Sequence, residues 1–201
     1  NRIIVQSPTG SGKSTQIPQM LLGAGGHSGQ IVVQQPRRIA ARMLARRVAF
    51  EQGTSVGKTV GYEVRFEKVT SATTRIRYVT EGVLLRQILR DRQLPGIDVV
   101  IFDEFHERHL FTDVTLALCL QLQRYRRSDL IVIVMSATLP GDRLQAFLHP
   151  CLLLQSRGRE YPVACEYSAS AGKGKQEPVW NRAANHCHQL IRQKREGDIL
   201  V

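Results

Sequence analysis

The feature that most restricts the fold of this chain is a glycine-rich segment, Thr9–Thr15, which follows a short run of β-branched residues, Arg2–Gln6. The run predicts a strand, and the residues from Lys13 to Leu22 predict a helix. In a strand, glycine turn and helix of this kind, the amides of the turn and the N-terminus of the helix both face an anion. The pattern therefore predicts an α/β domain that binds phosphate groups.

Two side chains of this loop have the chemistry that a nucleoside triphosphate requires. Lys13 would reach the β- and γ-phosphates, and the Ser14 hydroxyl would ligate Mg²⁺. The strict phosphate-loop pattern begins with glycine, where this chain has Ser7, and the alternative is a glycine-rich turn that opens an ordinary helix. The predicted nucleotide-binding residues of the loop are Thr9, Gly10, Ser11, Gly12, Lys13, Ser14 and Thr15.

A second motif, about ninety residues further along, is the acidic pair Asp103-Glu104 after the apolar run Val99–Phe102. Asp103 can hold a magnesium shell, and Glu104 can orient or deprotonate an attacking water. The alternative is a solvated acidic loop in which Asp103 caps a turn. Both motifs together predict ATP chemistry with Lys13, Asp103 and Glu104 as catalytic residues, and with Ser14 and Asp103 as magnesium ligands.

The charge balance indicates a polyanionic partner. The 201 residues have a net charge of +11, from 28 Lys and Arg against 17 Asp and Glu, and such a surface favours nucleic acid. Arginines crowd one predicted helix, where they form a phosphate-backbone clamp or a solvated face. These arginines are Arg37, Arg38, Arg42, Arg46 and Arg47.

Composition argues against several other classes of protein. No apolar run approaches the ~20 residues of a membrane span, so we expect no membrane partner. The four cysteines are widely spaced and form no C-x-x-C pair, which favours reduced thiols and a cytoplasmic protein. His106 and His109 are three residues apart but have no cysteine nearby, so we expect no zinc.

Strand and helix patterns alternate along the first three quarters of the chain, which predicts a mainly parallel sheet with helices on both faces. Ligands bind such sheets at the carboxyl ends of the strands. The predicted strands are Arg2–Gln6, Gln30–Gln35, Thr59–Arg65, Arg75–Val79, Val99–Phe102, Leu130–Met135 and Leu152–Gln155. The predicted helices are Lys13–Leu22, an arginine-rich helix ended by Gly53, Gly82–Arg90, Val114–Tyr125 capped by Thr112-Asp113, and Asp142–Phe147.

The composition changes after about Gln155. Ser168–Gln176 is typical of a linker, an amphipathic helix is predicted around Trp180–Ile191, and Ile199–Val201 is predicted to be a strand. We therefore predict an ATP-binding domain over residues 1–156, with a linker and further elements over residues 157–201.

The ordered motifs resemble those of the first motor domain of superfamily 2 helicases of the DEAH/RHA group, and are similar to those of bacterial HrpB-type helicases. Five motifs and two flanking segments carry the resemblance. The motifs are Thr9–Thr15, Gln35–Ala41, Val79–Gly82, Asp103–His106 and Ser136–Thr138, and the flanking segments are Gly61–Phe66 and Gly158–Val163.

This resemblance implies a RecA-like P-loop NTPase domain that uses ATP and Mg²⁺. It implies that Arg47 lies against the adenine base. It assigns nucleic-acid contacts to Arg37, Arg38, Thr80, Glu81 and Gly82, and coupling of nucleotide state to strand movement to His106, Ser136 and Thr138. The alternative is a purely structural role, in which Thr80 is only a helix cap, and Ser136 and Thr138 form only a turn.

Three function classes remain open at this stage. The first is the ATP-binding part of a helicase motor that moves on single-stranded nucleic acid, with RNA favoured over DNA. The second is a P-loop kinase or NTPase without a nucleic-acid track, and the third is a non-catalytic nucleotide-gated module. No Q-R-x-G-R-x-G-R motif occurs, so the resemblance implies a second RecA-like domain in a longer protein, residues 157–201 being its link and first elements. That domain would supply arginine fingers, and this chain alone is expected to be a poor ATPase.

Overall fold

The structure is a computed structural model that describes residues 1–26, 28–138, 141–156, 163–165, 167, 178–193 and 197–200, with only the backbone given for Gly141 and Asp142. The chain forms two compact units, Asn1–Glu160 and Tyr161–Val201. The assignment of residues 157–201 to a second RecA-like domain stays a prediction.

An eight-stranded sheet is the centre of the first unit, in the order β4-β3-β5-β2-β6-β7-β1-β8. Every neighbouring pair is parallel except β3 with β4. This confirms the predicted mainly parallel sheet. The strands are β1 (Arg2–Gln6), β2 (Gln30–Gln35), β3 (Val60–Val64), β4 (Glu67–Val69), β5 (Ile76–Thr80), β6 (Ile97–Phe102), β7 (Ile131–Ser136) and β8 (Leu152–Gln155).

Helices connect the parallel strands and cover both faces of the sheet, as predicted. No helix among the described residues is long and apolar enough to span a membrane. The helices of the first unit are α1 (Lys13–Ala24), α2 (Arg38–Glu51), α3 (Glu81–Arg90), α4 (Leu110–Tyr125) and α5 (Gly141–Leu148), with a short 3₁₀ helix at Phe105–Glu107.

The alternation of side chains along the strands divides the core into two apolar layers. Val32 and Val100 point to one face, where they join the buried residues of α3, α4 and α5. Ile31 and Ile101 point to the other face, where they join α2, with α1 packed alongside. A strand that is covered by helices on both faces needs apolar side chains at successive positions. This explains why the central strands are continuous apolar runs in the sequence.

In the first unit the structure differs from the predicted elements at α4 and at β4. Helix α4 begins at Leu110 with His109 as its N-cap, so Thr112 and Asp113 lie in the first turn and do not cap the helix. The Thr112 hydroxyl is instead hydrogen-bonded to the side chains of Gln34 and Glu81. Strand β4 was missed, because a three-residue strand (Glu67–Val69) that pairs antiparallel with β3 has too little periodicity to detect.

In the second unit, helix α6 spans Val179–Arg192, where an amphipathic helix was predicted. Ile199 and Leu200 have no strand structure, which differs from the prediction; a strand forms only where a neighbouring strand pairs with it. The predicted linker, Ser168–Gln176, lies outside the described residues, as do residues 158–162 of the last flanking segment.

Candidate functional site

The predicted motifs of the first unit meet at one edge of its sheet. The glycine-rich loop follows β1, the Arg37 segment follows β2, Glu81 follows β5, Asp103 follows β6, and Ala137 follows β7. All five strands are parallel, so their carboxyl ends lie along the same edge. This is the edge at which ligands bind in sheets of this class.

The glycine-rich loop has the backbone that its sequence predicts. Gly10 and Gly12 have φ angles of 76° and 83°, which are in the left-handed region that favours glycine. Ser7 is buried and donates its backbone N–H to the Ser136 carbonyl at 3.1 Å. The Gly12 carbonyl accepts from the Gln16 N–H at 2.8 Å and so starts α1. Ser7 therefore serves at the first position of the loop, tying it to β7.

Lys13 and Glu104 form a shielded ion pair next to this loop. The Lys13 Nζ lies 3.3 Å from Glu104 Oε1, and the side chains are 4% and 26% exposed. The second carboxylate oxygen of Glu104 lies 3.4 Å from His106 Nε2. Glu104 has a φ angle of 52°, an uncommon conformation for a residue other than glycine. The backbone after β6 therefore turns so that this carboxylate faces the loop.

Asp103 is the most deeply buried acid of the site, with 2% of its surface exposed. Burial raises its pKa above the ordinary aspartate value, against the opposing effect of hydrogen bonds from Ser14 and Gln35. The Gln35 amide donates to Asp103 Oδ2 at 2.6 Å. This excludes the alternative of a solvated acidic loop.

The two predicted magnesium ligands lie close enough to interact, since the Ser14 side chain is one of the groups that lower the pKa of Asp103 against the effect of burial. Magnesium takes hard oxygen ligands and is usually held by one or two side chains together with water and phosphate oxygens. A buried carboxylate beside a hydroxyl, at the start of a helix that follows a phosphate loop, fits this requirement.

His106 joins the acidic pair to the segment after β7. The Ala137 N–H donates to His106 Nδ1 at 3.4 Å, so the ring proton of a neutral imidazole lies on Nε2, facing Glu104. The Ser136 hydroxyl donates to the Thr138 carbonyl. These two residues do form a turn, and that turn is in contact with His106.

Arg47 lies in α2, where its Nε donates to Glu51 Oε1 at 2.6 Å. The second oxygen of Glu51 accepts from Gln16 at 3.1 Å and from Gln19 at 2.7 Å. Both glutamines belong to α1, the helix that the phosphate loop opens. Arg47 is therefore held beside this helix, which is compatible with its predicted position near the nucleotide base.

The predicted nucleic-acid residues lie on the neighbouring strand ends and differ in exposure. Arg37 and Arg38 are exposed, whereas Thr80 is buried at the end of β5. Thr80 occupies the N-cap position of α3 but makes no side-chain cap hydrogen bond. Glu81 and Gly82 form the first turn of α3 beside it. The side chain of Thr80 therefore does not cap α3.

Sequence reasoning missed two residues that support the site. Gln35 was noted only as part of a motif, yet it bonds to Asp103. Tyr78 on β5 is fully buried and donates its hydroxyl to the Ser14 carbonyl at 2.8 Å, which holds the first turn of α1. Burial raises the pKa of Tyr78, so the hydroxyl remains a donor. A polar residue inside a buried strand was the only available signal for either.

Comparison with known proteins decides the family. The family model described as DEAD/DEAH box helicase matches residues 1–147. The chain belongs to the DEAD/DEAH box helicase family. It is 46% identical over 166 residues to the ATP-dependent RNA helicase HrpB of Escherichia coli, which covers 83% of this chain and 20% of that protein.

Further relatives of this helicase family agree. The ATP-dependent RNA helicase DHX33 of Drosophila melanogaster is 46% identical over 166 residues, covering 80% of this chain and 24% of that protein. The crystal structure of the DEAH/RHA helicase HrpB of Escherichia coli superposes with a TM-score of 0.87 at 41% identity, covering 96% of this chain and 24% of that one. The chain thus spans about a fifth to a quarter of the length of these helicases.

Proposed function

We propose that this chain is the ATP-binding part of an RNA helicase motor, in which hydrolysis of Mg-ATP drives movement along, or separation of, nucleic-acid strands. The relatives named above are ATP-dependent RNA helicases, which favours RNA over DNA as the strand. Membership of the helicase family disfavours the alternative of a P-loop kinase or NTPase without a nucleic-acid track.

One observation carries this proposal: Glu104 is held at the carboxyl edge of the sheet by Lys13 on one oxygen and His106 on the other. A carboxylate beside the phosphate-binding lysine is in position to orient a water molecule toward a terminal phosphate. The His106 contact continues to Ala137, and so connects the catalytic acid to a segment outside the phosphate site.

The proposed sequence of events uses groups already present. In the described structure the Lys13 ammonium is paired with Glu104. When a triphosphate enters the loop, the Lys13 ammonium exchanges its contact with Glu104 for one with the phosphate oxygens, and one Glu104 oxygen becomes free to accept a proton from water. Ser14 and Asp103 would hold Mg²⁺, which when bound would neutralise charge on the phosphate oxygens. His106 keeps its contact with Glu104 and transmits the change.

The nucleic-acid contacts are proposed on the same edge. Arg37 and Arg38 would bind backbone phosphates, with Thr80, Glu81 and Gly82 on the adjacent strand end. A second RecA-like domain would close over the nucleotide and supply the cations that stabilise the transferring phosphoryl group, an effect of about 10³–10⁵ in rate. We also propose a cytoplasmic protein, because its four cysteines are widely spaced and form no C-x-x-C pair.

Phosphate release by the purified chain, with and without single-stranded RNA, tests this proposal. We expect binding of Mg-ATP and of RNA, with turnover near background that added RNA does not change. Glu104→Gln should retain Mg-ATP binding. Strong RNA-stimulated turnover by residues 1–201 alone would show that the stimulating arginine lies within this chain. Mg-ATP binding without any affinity for RNA would support an NTPase that has no track.

A further inference from the structure

His109 lies between two carboxylates that belong to different strand ends. Its Nδ1 is 3.6 Å from Glu81 Oε2, and its Nε2 is 3.4 Å from Glu107 Oε2. His109 is the N-cap residue of α4 but makes no side-chain cap hydrogen bond. The imidazole is therefore not used to cap its own helix, and both of its nitrogens face acids from neighbouring segments.

Glu107 also contacts an arginine of the proposed RNA-binding surface. Its second oxygen, Oε1, lies 3.2 Å from the Arg37 Nη2. The Glu107 side chain is 27% exposed, whereas that of Arg37 is 73% exposed. One carboxylate thus holds His109 on its inner side and Arg37 on its outer side, while most of the guanidinium still faces solvent.

Glu81 is connected in the opposite direction, toward the nucleotide site. Its Oε2 accepts from the Thr112 hydroxyl at 3.0 Å, and that hydroxyl accepts from the Gln34 amide at 2.7 Å. Gln34 lies next to Gln35, which bonds to Asp103. Side-chain hydrogen bonds thus join the end of β5 to β2 through Thr112, and a separate one on the opposite face of β2 joins Gln35 to Asp103 after β6.

Electrostatic repulsion between the Glu81 and Glu107 carboxylates explains why an imidazole between them is useful. Two carboxylates beside a phosphate-binding surface repel each other and repel the phosphate backbone. An imidazole between the two acids directs a ring N–H at one of them, lessens this repulsion and limits how closely the acids can approach each other. Arg37 then has one preferred position, and less conformational entropy is lost when it binds a phosphate.

We infer that His109 is a positioning residue for nucleic-acid binding: through Glu107 it orients Arg37, and through Glu81 it sets Arg37 at a fixed distance from the Thr80–Gly82 segment. The inference rests on the proposed function, since it assigns a role within the proposed RNA interface. His109 itself contacts neither the nucleotide nor the nucleic acid.

The first experiment tests, in the absence of nucleic acid, whether His109 and Glu107 restrain the Arg37 side chain. In the full 201-residue chain, NMR of arginine guanidinium groups distinguishes a held side chain from a free one, and the Arg37 signal is assigned by its loss in Arg37→Ala. We expect His109→Ala and Glu107→Gln each to release the Arg37 guanidinium, and His109→Gln, which keeps one N–H donor, to retain part of the order. An unchanged Arg37 signal in a folded His109→Ala protein overturns the inference.

The second experiment measures the consequence with labelled single-stranded RNA. We expect His109→Ala to weaken binding about two- to fivefold, the range of a partly exposed ion pair. The loss should vanish when Arg37 is already alanine, but persist fully in the matched background of Arg38→Ala. Equal losses in both backgrounds would show that His109 acts on the fold in general and would overturn the inference. Absence of RNA binding by the unmodified chain would contradict the proposed function, while the NMR result still decides the arrangement.

Discussion

The proposed nucleotide half and the proposed nucleic-acid half of the same sheet edge are built in opposite ways. In the nucleotide half, Asp103 is 2% exposed and the Lys13 side chain 4% exposed, and both have close partners. In the nucleic-acid half, the Arg37 side chain is 73% exposed, and Arg38 beside it is exposed as well.

This difference teaches where single substitutions should matter. A desolvated charge interacts strongly with its neighbours, so the loss of one group changes the whole nucleotide half. Exposed arginines act through screened, nearly independent phosphate contacts. We therefore expect large and cooperative effects in the nucleotide half, and smaller, salt-dependent effects in the nucleic-acid half.

The largest effect is expected from Lys13→Ala. The lysine supplies the phosphate-binding charge and also the partner of Glu104, so its removal should abolish detectable Mg-nucleotide binding while circular dichroism shows an intact fold. A titration with fluorescent nucleotide measures this. Equal affinity of the two proteins would refute the phosphate-loop assignment and remove the contrast between the halves.

Asp103→Asn comes next, with an expected loss of at least about tenfold in magnesium-dependent nucleotide affinity, because the amide is a weaker metal ligand than a carboxylate. Titrations with and without Mg²⁺ separate this loss from a general one. A similar loss in the absence of metal would indicate that Asp103 supports the loop and does not ligate magnesium.

The same residue gives a prediction for pH. Because burial raises its pKa, folded Asp103 keeps its proton to a higher pH than the unfolded chain does. Its contribution to the free energy of unfolding therefore falls as pH rises through the window between the ordinary aspartate pKa and the raised one. Asp103→Asn should remove that fall and stabilise the fold at neutral pH. Urea unfolding of both proteins across pH 4–8 measures it, and identical pH profiles would contradict the burial argument.

For the exposed half, replacing both Arg37 and Arg38 with alanine should flatten the dependence of RNA affinity on salt. Each phosphate contact contributes roughly 0.7 to the slope of log affinity against log salt for single strands, so the slope should fall by about 1 to 1.5. Fluorescence anisotropy at several salt concentrations measures the slope. An unchanged slope would mean that these arginines are a solvated surface.

The smallest effect is expected from Tyr78→Phe, which deletes a buried hydroxyl and leaves the Ser14 carbonyl without its donor. We expect a loss of about 1–2 kcal/mol in the free energy of unfolding and an affinity for Mg-nucleotide reduced a few-fold. The matched control is Tyr125→Phe on the exposed end of α4, which should change neither quantity. Equal effects of both variants would show that the Tyr78 hydroxyl does not hold α1.

Much of this molecule is readable from its sequence because the informative residues are local. The strands β1, β2 and β8 match their predicted bounds, since short runs of β-branched or apolar residues between turn residues are typical of strands. The loop residues from Gly10 to Ser14 are adjacent in sequence, and so are Asp103 and Glu104. Their meeting at one edge follows from the rule for parallel sheets.

The remaining contacts depend on which strands become neighbours, and no local pattern states this. The order of the sheet places β2 between β5 and β6, which is why Gln34 meets Thr112 and why Glu107 meets Arg37. His109 was considered only as a possible metal ligand, because one histidine beside acidic residues has no distinctive spacing. Such pairings need the fold before they can be seen.

The position of β1 in the sheet has a consequence for how the protein is made. β1 is the first strand of this sheet in sequence order, but its two neighbours are β7 and β8, which a ribosome produces more than a hundred residues later. Synthesis of roughly 125 residues at about 5–20 residues per second takes roughly 6–25 s. Through that interval β1 lacks both of the strands that flank it in the finished sheet, and Ser7 lacks the Ser136 carbonyl that accepts its N–H. The glycine-rich loop therefore acquires its anchor on β7 only after the last strands of the sheet have been made, so any site built on that loop is completed late in synthesis.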